Sequence, residues 1–336
     1  MECFRFAIFQ KEPKEPQMFE FLSKTIITTG PKRSGGSLIT RLFDSQPGII
    51  NFIDEAFFWE HVYNYQEKGQ ESLFIDTFKY HDISELMESF ADRQILPWIN
   101  GILRKITPEK YDLDLNFRKD VFLDELVNLN KCSSISEIWD CLVKAYANAM
   151  PTDYSGCDIA YMFIGDRGKS ILSTKASLGN SRCIFVMRNP YKALESLKTE
   201  RMLGRNSLIN KRKKALHPIN FAQVINDYYF FWNNRSKILD KRTILIRFED
   251  LVTDSRKTMK AVADHVGIEF TDNLLKPTLL GDPFKHGSSF GFLDGIDKSV
   301  LHRKAKVLSK IEVEIIRDHL KPILEYFDYT ASEVAP

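Results

Sequence analysis

The stretch from Thr25 to Phe43 constrains this chain more than any other. A β-rich run, Thr25-Ile26-Ile27-Thr28-Thr29, leads into Gly30-Pro31-Lys32-Arg33-Ser34-Gly35-Gly36-Ser37, and an apolar helical pattern follows through Leu38, Ile39, Leu42 and Phe43. The glycines permit a tight turn whose backbone N–H groups converge on an anion, and the helix that follows points the positive end of its dipole at the same place. Read against GxxxxGK[ST], the loop matches everywhere except at Gly36, where the lysine that clamps a triphosphate would stand. Its cations, Lys32 and Arg33, come earlier in the turn. The pattern therefore predicts a phosphate site without the main triphosphate clamp, although a glycine-rich strand-to-helix turn with no ligand looks the same in sequence.

Further apolar runs recur at Ile159–Ile164, Cys183–Met187 and Thr243–Arg247, with a shorter one at Ile49–Ile53. Nearly continuous apolar strands separated by helical patterns predict a parallel sheet covered on both faces, that is, a doubly wound α/β fold. Residues 60–150 show no comparable strand. Ile83–Ile106 and Ser134–Ala149 instead carry apolar residues at helical spacing, so this stretch reads as a helical insertion. Later helices are expected at Asn220–Leu239 and Ser309–Phe327, the second broken near Pro322. No repeat or low-complexity segment appears.

The 336 residues, 43% of them hydrophobic, suffice for one large domain. The expected division is an extension over 1–23, one domain over 24–330 with the insertion on the acceptor side, and a tail over 331–336. Forty-seven basic against 45 acidic side chains leave a formal charge of +2, too balanced for wholesale binding to nucleic acid or an anionic membrane. Five scattered cysteines without CxxC spacing argue against a disulfide framework and a zinc site, and the seven histidines form no metal spacing. No long apolar run opens the chain, so a cytoplasmic location without a transmembrane segment is the expectation.

With Leu42-Phe43-Asp44-Ser45-Gln46-Pro47 after it, the loop resembles that of the sulfotransferases dependent on 3′-phosphoadenosine 5′-phosphosulfate (PAPS), which reads like PRSGTTLLTRLLDSHP. Gly36 and Ser37 stand for the usual pair of threonines. A second resemblance lies at Arg188-Asn189-Pro190, closing the run Cys183–Met187, with Ser196 eight residues after Arg188. Ile244–Leu251 looks like the family's RYEDL strand and helix. Gly287-Ser288-Ser289-Phe290, Gly295-Ile296 and Leu301-His302-Arg303-Lys304 resemble its late NSSF, GI and RWK segments. The match spans about 24–51 and 161–329 and leaves the insertion uncovered.

The resemblance implies a P-loop-like sulfotransferase fold and PAPS as sulfuryl donor, with no metal. It places Lys32, Arg33, Ser34, Gly35, Gly36 and Ser37 at the 5′-phosphosulfate and Arg188, Ser196, Ser288 and Arg303 on the cofactor, with Arg188, Ser196 and Arg303 at its 3′-phosphate. Arg33 stands where the family has its catalytic cation. Asp166-Arg167-Gly168-Lys169 resembles a DKTP segment near the transferring group, which makes Arg167 a further catalytic candidate. Asp54 and Glu55, after the run Ile49–Ile53, are the candidate bases, with His286 and His302 as alternatives, while helix capping remains a competing role for the two carboxylates. The aromatic group Phe57, Phe58, Trp59, Tyr63 and Tyr65 reads as core or as acceptor platform. The basic stretch Lys198, Arg201, Arg205 and Lys211–Lys214 reads as a solvated loop or as a recruiter of an acidic acceptor. Carbohydrate, small metabolite, lipid headgroup and peptide are all admissible acceptors. A P-loop kinase-like phosphotransferase and a non-catalytic nucleotide-binding protein are the rival functions.

Overall fold

The computed structural model describes residues 22–55, 58–72, 74–75, 118–165, 169–203, 218–283, 285–288, 291–302 and 307–330. Five strands form one sheet: β1 (Lys24–Thr29), β2 (Ile49–Glu55), β3 (Ile159–Phe163), β4 (Ser181–Met187) and β5 (Thr243–Arg247), in the spatial order β2-β3-β1-β4-β5. Every pairing is parallel. In chain order the helices are α1 (Gly36–Phe43), α2 (Phe58–Gln66), α3 (Lys119–Leu126), α4 (Ile135–Ala149), α5 (Ile171–Ser177), α6 (Pro190–Leu203), α7 (Pro218–Ile238), α8 (Phe248–Thr253), α9 (Ser255–Val266), α10 (Lys310–His319) and α11 (Lys321–Phe327). Two small antiparallel pairs, β6 (Thr278–Leu279) with β7 (Asp282–Pro283) and β8 (Lys285–Ser288) with β9 (Gly291–Asp294), lie between α9 and α10.

Successive strand residues point to opposite faces of a sheet, and the two hydrophobic cores follow that alternation. Ile26, Ile184 and Val186 bury against Ile39, Leu42 and Phe43 of α1 and Met259 and Val262 of α9. Ile27, Cys183, Phe185 and Met187 bury on the other face with Trp139 of α4 and Tyr228 and Phe231 of α7. The result is helix, sheet and helix in three layers, with β1 and β4 buried on both sides as their apolar runs require. The sheet-covering helix α4 starts where Ser134 accepts the Glu137 backbone N–H, and Trp139 donates through Nε1 to Thr25 Oγ1 at 3.2 Å. That bond ties the 60–150 stretch directly to the central strand.

The expected strands and later helices are found within one or two residues of their sequence limits, apart from β2. Asp54 and Glu55, expected just beyond that strand, are its last two residues. The register shifts between Asn51 and Glu55, and this irregularity lets an edge strand carry its carboxylates to a final pairing of Glu55 with Phe163. The C-terminal helical pattern breaks at Leu320, and Pro322 sits in the first turn of α11, where its missing N–H costs nothing. Ile83–Ile106 lies outside the described residues, and no helix among the described ones is long and apolar enough to cross a membrane.

Candidate active site

A cleft of about 690 Å³ opens at the carboxyl ends of β1, β3 and β4. The strand order reverses around β1, and in open α/β sheets such a reversal leaves a crevice at the strands' carboxyl ends. The glycine loop forms its floor, and Tyr63 and Asn64 of α2, Lys169 before α5 and Gln223 of α7 line its walls.

Close packing shapes the loop. A β-carbon on Gly30 would lie 2.1 Å from the carbonyl oxygen of Val186, so the loop crosses β4 where only glycine fits. Gly35, with φ of 102°, takes the left-handed conformation that starts α1, and a β-carbon there would meet the Phe248 ring at 2.3 Å. Arg33 has φ of 70°, a strained value for a residue other than glycine. Gly36 and Ser37, at the start of α1, line the cleft where a helix's first N–H groups lack a carbonyl one turn back.

The two phosphate segments expected from sequence meet at Arg33. Its guanidinium donates from Nε (3.2 Å) and Nη2 (3.1 Å) to Ser196 Oγ, and its carbonyl oxygen accepts from Arg188 Nη1 at 3.1 Å. Ser196 lies in the second turn of α6 and is nearly buried. Arg188 rests on the Phe248 ring, 4.4 Å from its centroid. Burial, partly offset by Glu249 and reinforced by Arg33, pulls its pKa down to about 10. Arg188 lines the cleft, and its buried Nε has no hydrogen-bond partner among the described residues.

Side chains of α7 hold Arg188 and the loop from behind. The Tyr228 hydroxyl donates to the Arg188 carbonyl oxygen at 2.7 Å, and Asp227 Oδ2 accepts the Lys32 backbone N–H at 3.4 Å. Asn189 accepts the Tyr191 N–H at 3.0 Å with Pro190 opening α6, a side-chain cap at a proline-led helix start. Sequence reasoning missed Asp227, Tyr228, Gln223 and Phe248. The available signal was polar spacing: Gln223 and Asp227 stand four apart on a helix whose same stretch buries Val224 and Tyr228.

Other expected residues are distributed differently. The aromatic group splits by helix face: Phe58 and Trp59 are buried in the core, while Tyr63 lines the cleft. Lys198 forms an ion pair with Glu312 at 2.7 Å rather than standing as a solvated cation. His302 is exposed after a short 3-10 helix (Lys298–Leu301) and is not among the residues lining the cleft. Arg167, Arg303, Phe57 and residues 204–217 lie outside the described residues, as do the side chains of Asp54, Glu55, Arg201, His286 and Ser288.

The sequence pattern of the sulfotransferase family matches residues 169–272, the part that carries β4, Arg188, Ser196 and β5. The sulfotransferase domain of the Synechococcus PCC 7002 olefin synthase is similar over 94% of this chain and 98% of that domain, with a TM-score of 0.53 and 14% identity. The fold is that of a sulfotransferase domain, and residues 169–272 carry the family's sequence pattern. The sulfotransferase domain from the curacin biosynthetic pathway is similar in the same way, over 91% of this chain and 97% of that domain, with a TM-score of 0.53 and 16% identity. No curated protein sequence matches the chain significantly. Within the sulfotransferase fold, the glycine loop lies outside the matched segment, so its place in the site rests on the geometry given above.

Proposed function

We propose that this chain moves a sulfuryl group from PAPS to a hydroxyl or amine of its acceptor by in-line displacement. The family pattern and the fold support sulfuryl transfer as the general chemistry. The observation that carries the finer reading is the convergence on Arg33 of a helix-start anion cradle with Arg188 and Ser196. Two anion sites on one cleft suit a ligand with phosphates at both ends of a nucleoside, and the partnerless Arg188 Nε supplies a donor such a ligand would satisfy.

PAPS supplies an activated sulfuryl group: the acceptor oxygen or nitrogen bonds to sulfur as the bond from sulfur to the phosphate oxygen breaks, and adenosine 3′,5′-bisphosphate leaves. The chain's part is to align the two ends and to hold charge where it collects. Arg33 is placed to neutralise the leaving phosphate oxygen, with Lys32 beside it, while the backbone of Ser34–Ser37 holds the 5′-phosphate. Arg188 and Ser196 hold the 3′-phosphate, with Ser288 and Arg303 assigned to the same cofactor. Asp54 and Glu55 at the end of β2 are the candidates to take the acceptor proton, and Arg167 to add positive charge at the transferring group. The acceptor enters along α2, whose Tyr63 and Asn64 line the cleft.

A kinase reading requires a lysine at position 36. A β-carbon there would lie 2.3 Å from the Phe163 ring, so a lysine could stand at this position only if the ring shifted.

The test is thermal unfolding with adenosine 3′,5′-bisphosphate, AMP and Mg·ATP, since a ligand of the folded state raises the midpoint by mass action. A shift with the bisphosphate and little with AMP is expected. A shift with Mg·ATP alone would favour a phosphotransferase, and no shift with any of the three would point to a protein that has lost the cofactor.

A further inference from the structure

The glycine at position 36 is not a backbone requirement. Gly36 is the first residue of α1 and, unlike Gly35, has no positive φ. The three heavy atoms nearest to a β-carbon on Gly36 all belong to one residue: Cε2, Cζ and Cδ2 of Phe163 would stand 2.3, 2.6 and 2.9 Å away. The ring edge occupies the volume that a side chain at position 36 would fill.

Regular packing holds the ring there. Tyr161 and Phe163 are two apart on β3 and face α1 together, as strand periodicity requires. On α1, Gly36, Thr40 and Phe43 follow helical spacing along the facing side. The Tyr161 hydroxyl is 3.3 Å from Thr40 Oγ1 and the Tyr161 ring stacks on Phe43 at 4.6 Å between centroids. Phe163 completes this row against Gly36, and it also lines the cleft. Its backbone pairs with Glu55, so the ring stands between the loop and the carboxylate end of β2.

We infer that Phe163 is a positioning residue for the phosphate loop: its ring edge replaces a side chain at position 36 and sets where the first N–H groups of α1 meet the anion. Position 36 then contributes only its backbone, and the wall between the loop and the acceptor side of the cleft is an aromatic ring rather than a hydroxyl. This deepens the reading of the cleft as a PAPS site and rests on it for the ligand, though not for the steric pairing.

The experiment uses Phe163→Val, Gly36→Thr and the double variant, with calorimetric titration of adenosine 3′,5′-bisphosphate and unfolding midpoints without ligand. Phe163→Val removes every ring atom near position 36 while keeping an apolar strand residue. It should fold and bind the bisphosphate more weakly by roughly three- to tenfold, because the loop loses its stop. Gly36→Thr should lower the ligand-free midpoint and weaken binding by about tenfold or more, since the ring must move into the cleft or the helix start must lift. The double variant should recover most of both losses. The inference is overturned if Phe163→Val folds and binds as tightly as the parent, or if the double variant is no more stable and binds no better than Gly36→Thr. Should the parent fail to bind the bisphosphate, the PAPS reading falls, and the ligand-free midpoints still decide the pairing of Gly36 with Phe163.

Discussion

Glu249 accepts the backbone N–H of Asn189 at 2.9 Å, tying the start of α8, just past β5, to the turn that follows Arg188. Its other oxygen accepts the Tyr329 hydroxyl at 3.2 Å, which fastens the C-terminal segment to the same point. The RYEDL-like segment is thus a structural clasp behind Arg188 and Asn189. Glu249→Ala leaves a nearly buried N–H without its acceptor and should cost about 1–3 kcal/mol. Urea unfolding would show this as a lower midpoint at unchanged slope, while Glu249→Gln, which keeps an acceptor oxygen, should lose much less.

Gly30 offers a harder test of the loop's packing. The atom a β-carbon would strike at 2.1 Å is the Val186 carbonyl oxygen, part of the backbone of a central strand that cannot swing aside as a side chain can. Gly30→Ala should lower the unfolding midpoint and abolish binding of the bisphosphate, both measurable in one thermal-shift series. Full retention of both would mean that the loop and β4 approach less closely than described.

Arg188 and Arg33 are predicted to fail in different ways. Arg188→Met removes the donor assigned to the 3′-phosphate and should weaken the bisphosphate by roughly 10- to 100-fold while leaving AMP nearly unaffected. Arg33→Ala should leave bisphosphate binding largely intact but reduce turnover of PAPS by about 100- to 1,000-fold. Titration calorimetry reads the first and release of the bisphosphate from PAPS, on an acceptor the parent sulfates, reads the second. Equal turnover in Arg33→Ala would remove Arg33 from the chemistry.

Asp140, on α4, should make stability depend on pH with an unusual sign. Burial, with the charge of Glu137 adding to it, raises its pKa from 3.8 to about 6. A carboxyl whose pKa is higher folded than unfolded takes up a proton on folding, so its ionised form opposes folding above pH 6. Lowering the pH from 8 to 5 should therefore relieve a cost. Asp140→Asn should raise the midpoint at pH 8 and flatten this part of the profile, as differential scanning calorimetry at the two pH values would show.

Lys175 produces the opposite dependence through its partner. Its buried ammonium donates to the Ile238 carbonyl oxygen (2.9 Å), Asp240 Oδ1 (2.7 Å) and Thr243 Oγ1 (2.9 Å), joining α5 to the turn between α7 and β5. Although burial pushes the Asp240 pKa up, the bonds from Lys175 and from the Arg242 backbone hold it below 3.8. That contribution is complete above the unfolded pKa and is lost as the pH falls through the lower folded one. Lys175→Met should cost about 1.5–3 kcal/mol at pH 7, an amount reduced by the solvent exposure of Asp240. The gap between the acid unfolding profiles of the two proteins should begin to narrow only as the pH falls below 3.8.

The fold was legible because its strands advertise themselves. β1, β4 and β5 are apolar runs bounded by turn residues, and each was found where the pattern placed it. β2 was cut short in sequence because Asp54 and Glu55 are poor strand formers, whereas an irregular edge strand needs pairing on one side only. The loop and Arg188 were legible as motifs. Phe163 and Asp227 were not, since their importance comes from what folding lays beside them: Gly36 across the layer between β3 and α1, and the Lys32 amide across from α7. A carboxylate inside a long helix gives no hint in sequence that its partner is a loop nearly two hundred positions earlier.

The place of β1 in the sheet also bears on how the protein is made. Of the five strands of the sheet this one is made first, yet it belongs at the centre: Lys24 must wait for Ile159 on one side and Thr25 for Ser181 on the other. Until Ser181 emerges, an apolar segment that will end buried on both faces has at least one edge without a strand to pair with, and a growing chain in that state is exposed to aggregation. Synthesis that pauses or stops before β4 would therefore leave β1 as the open edge of a three-stranded sheet, β2-β3-β1, rather than a smaller working unit.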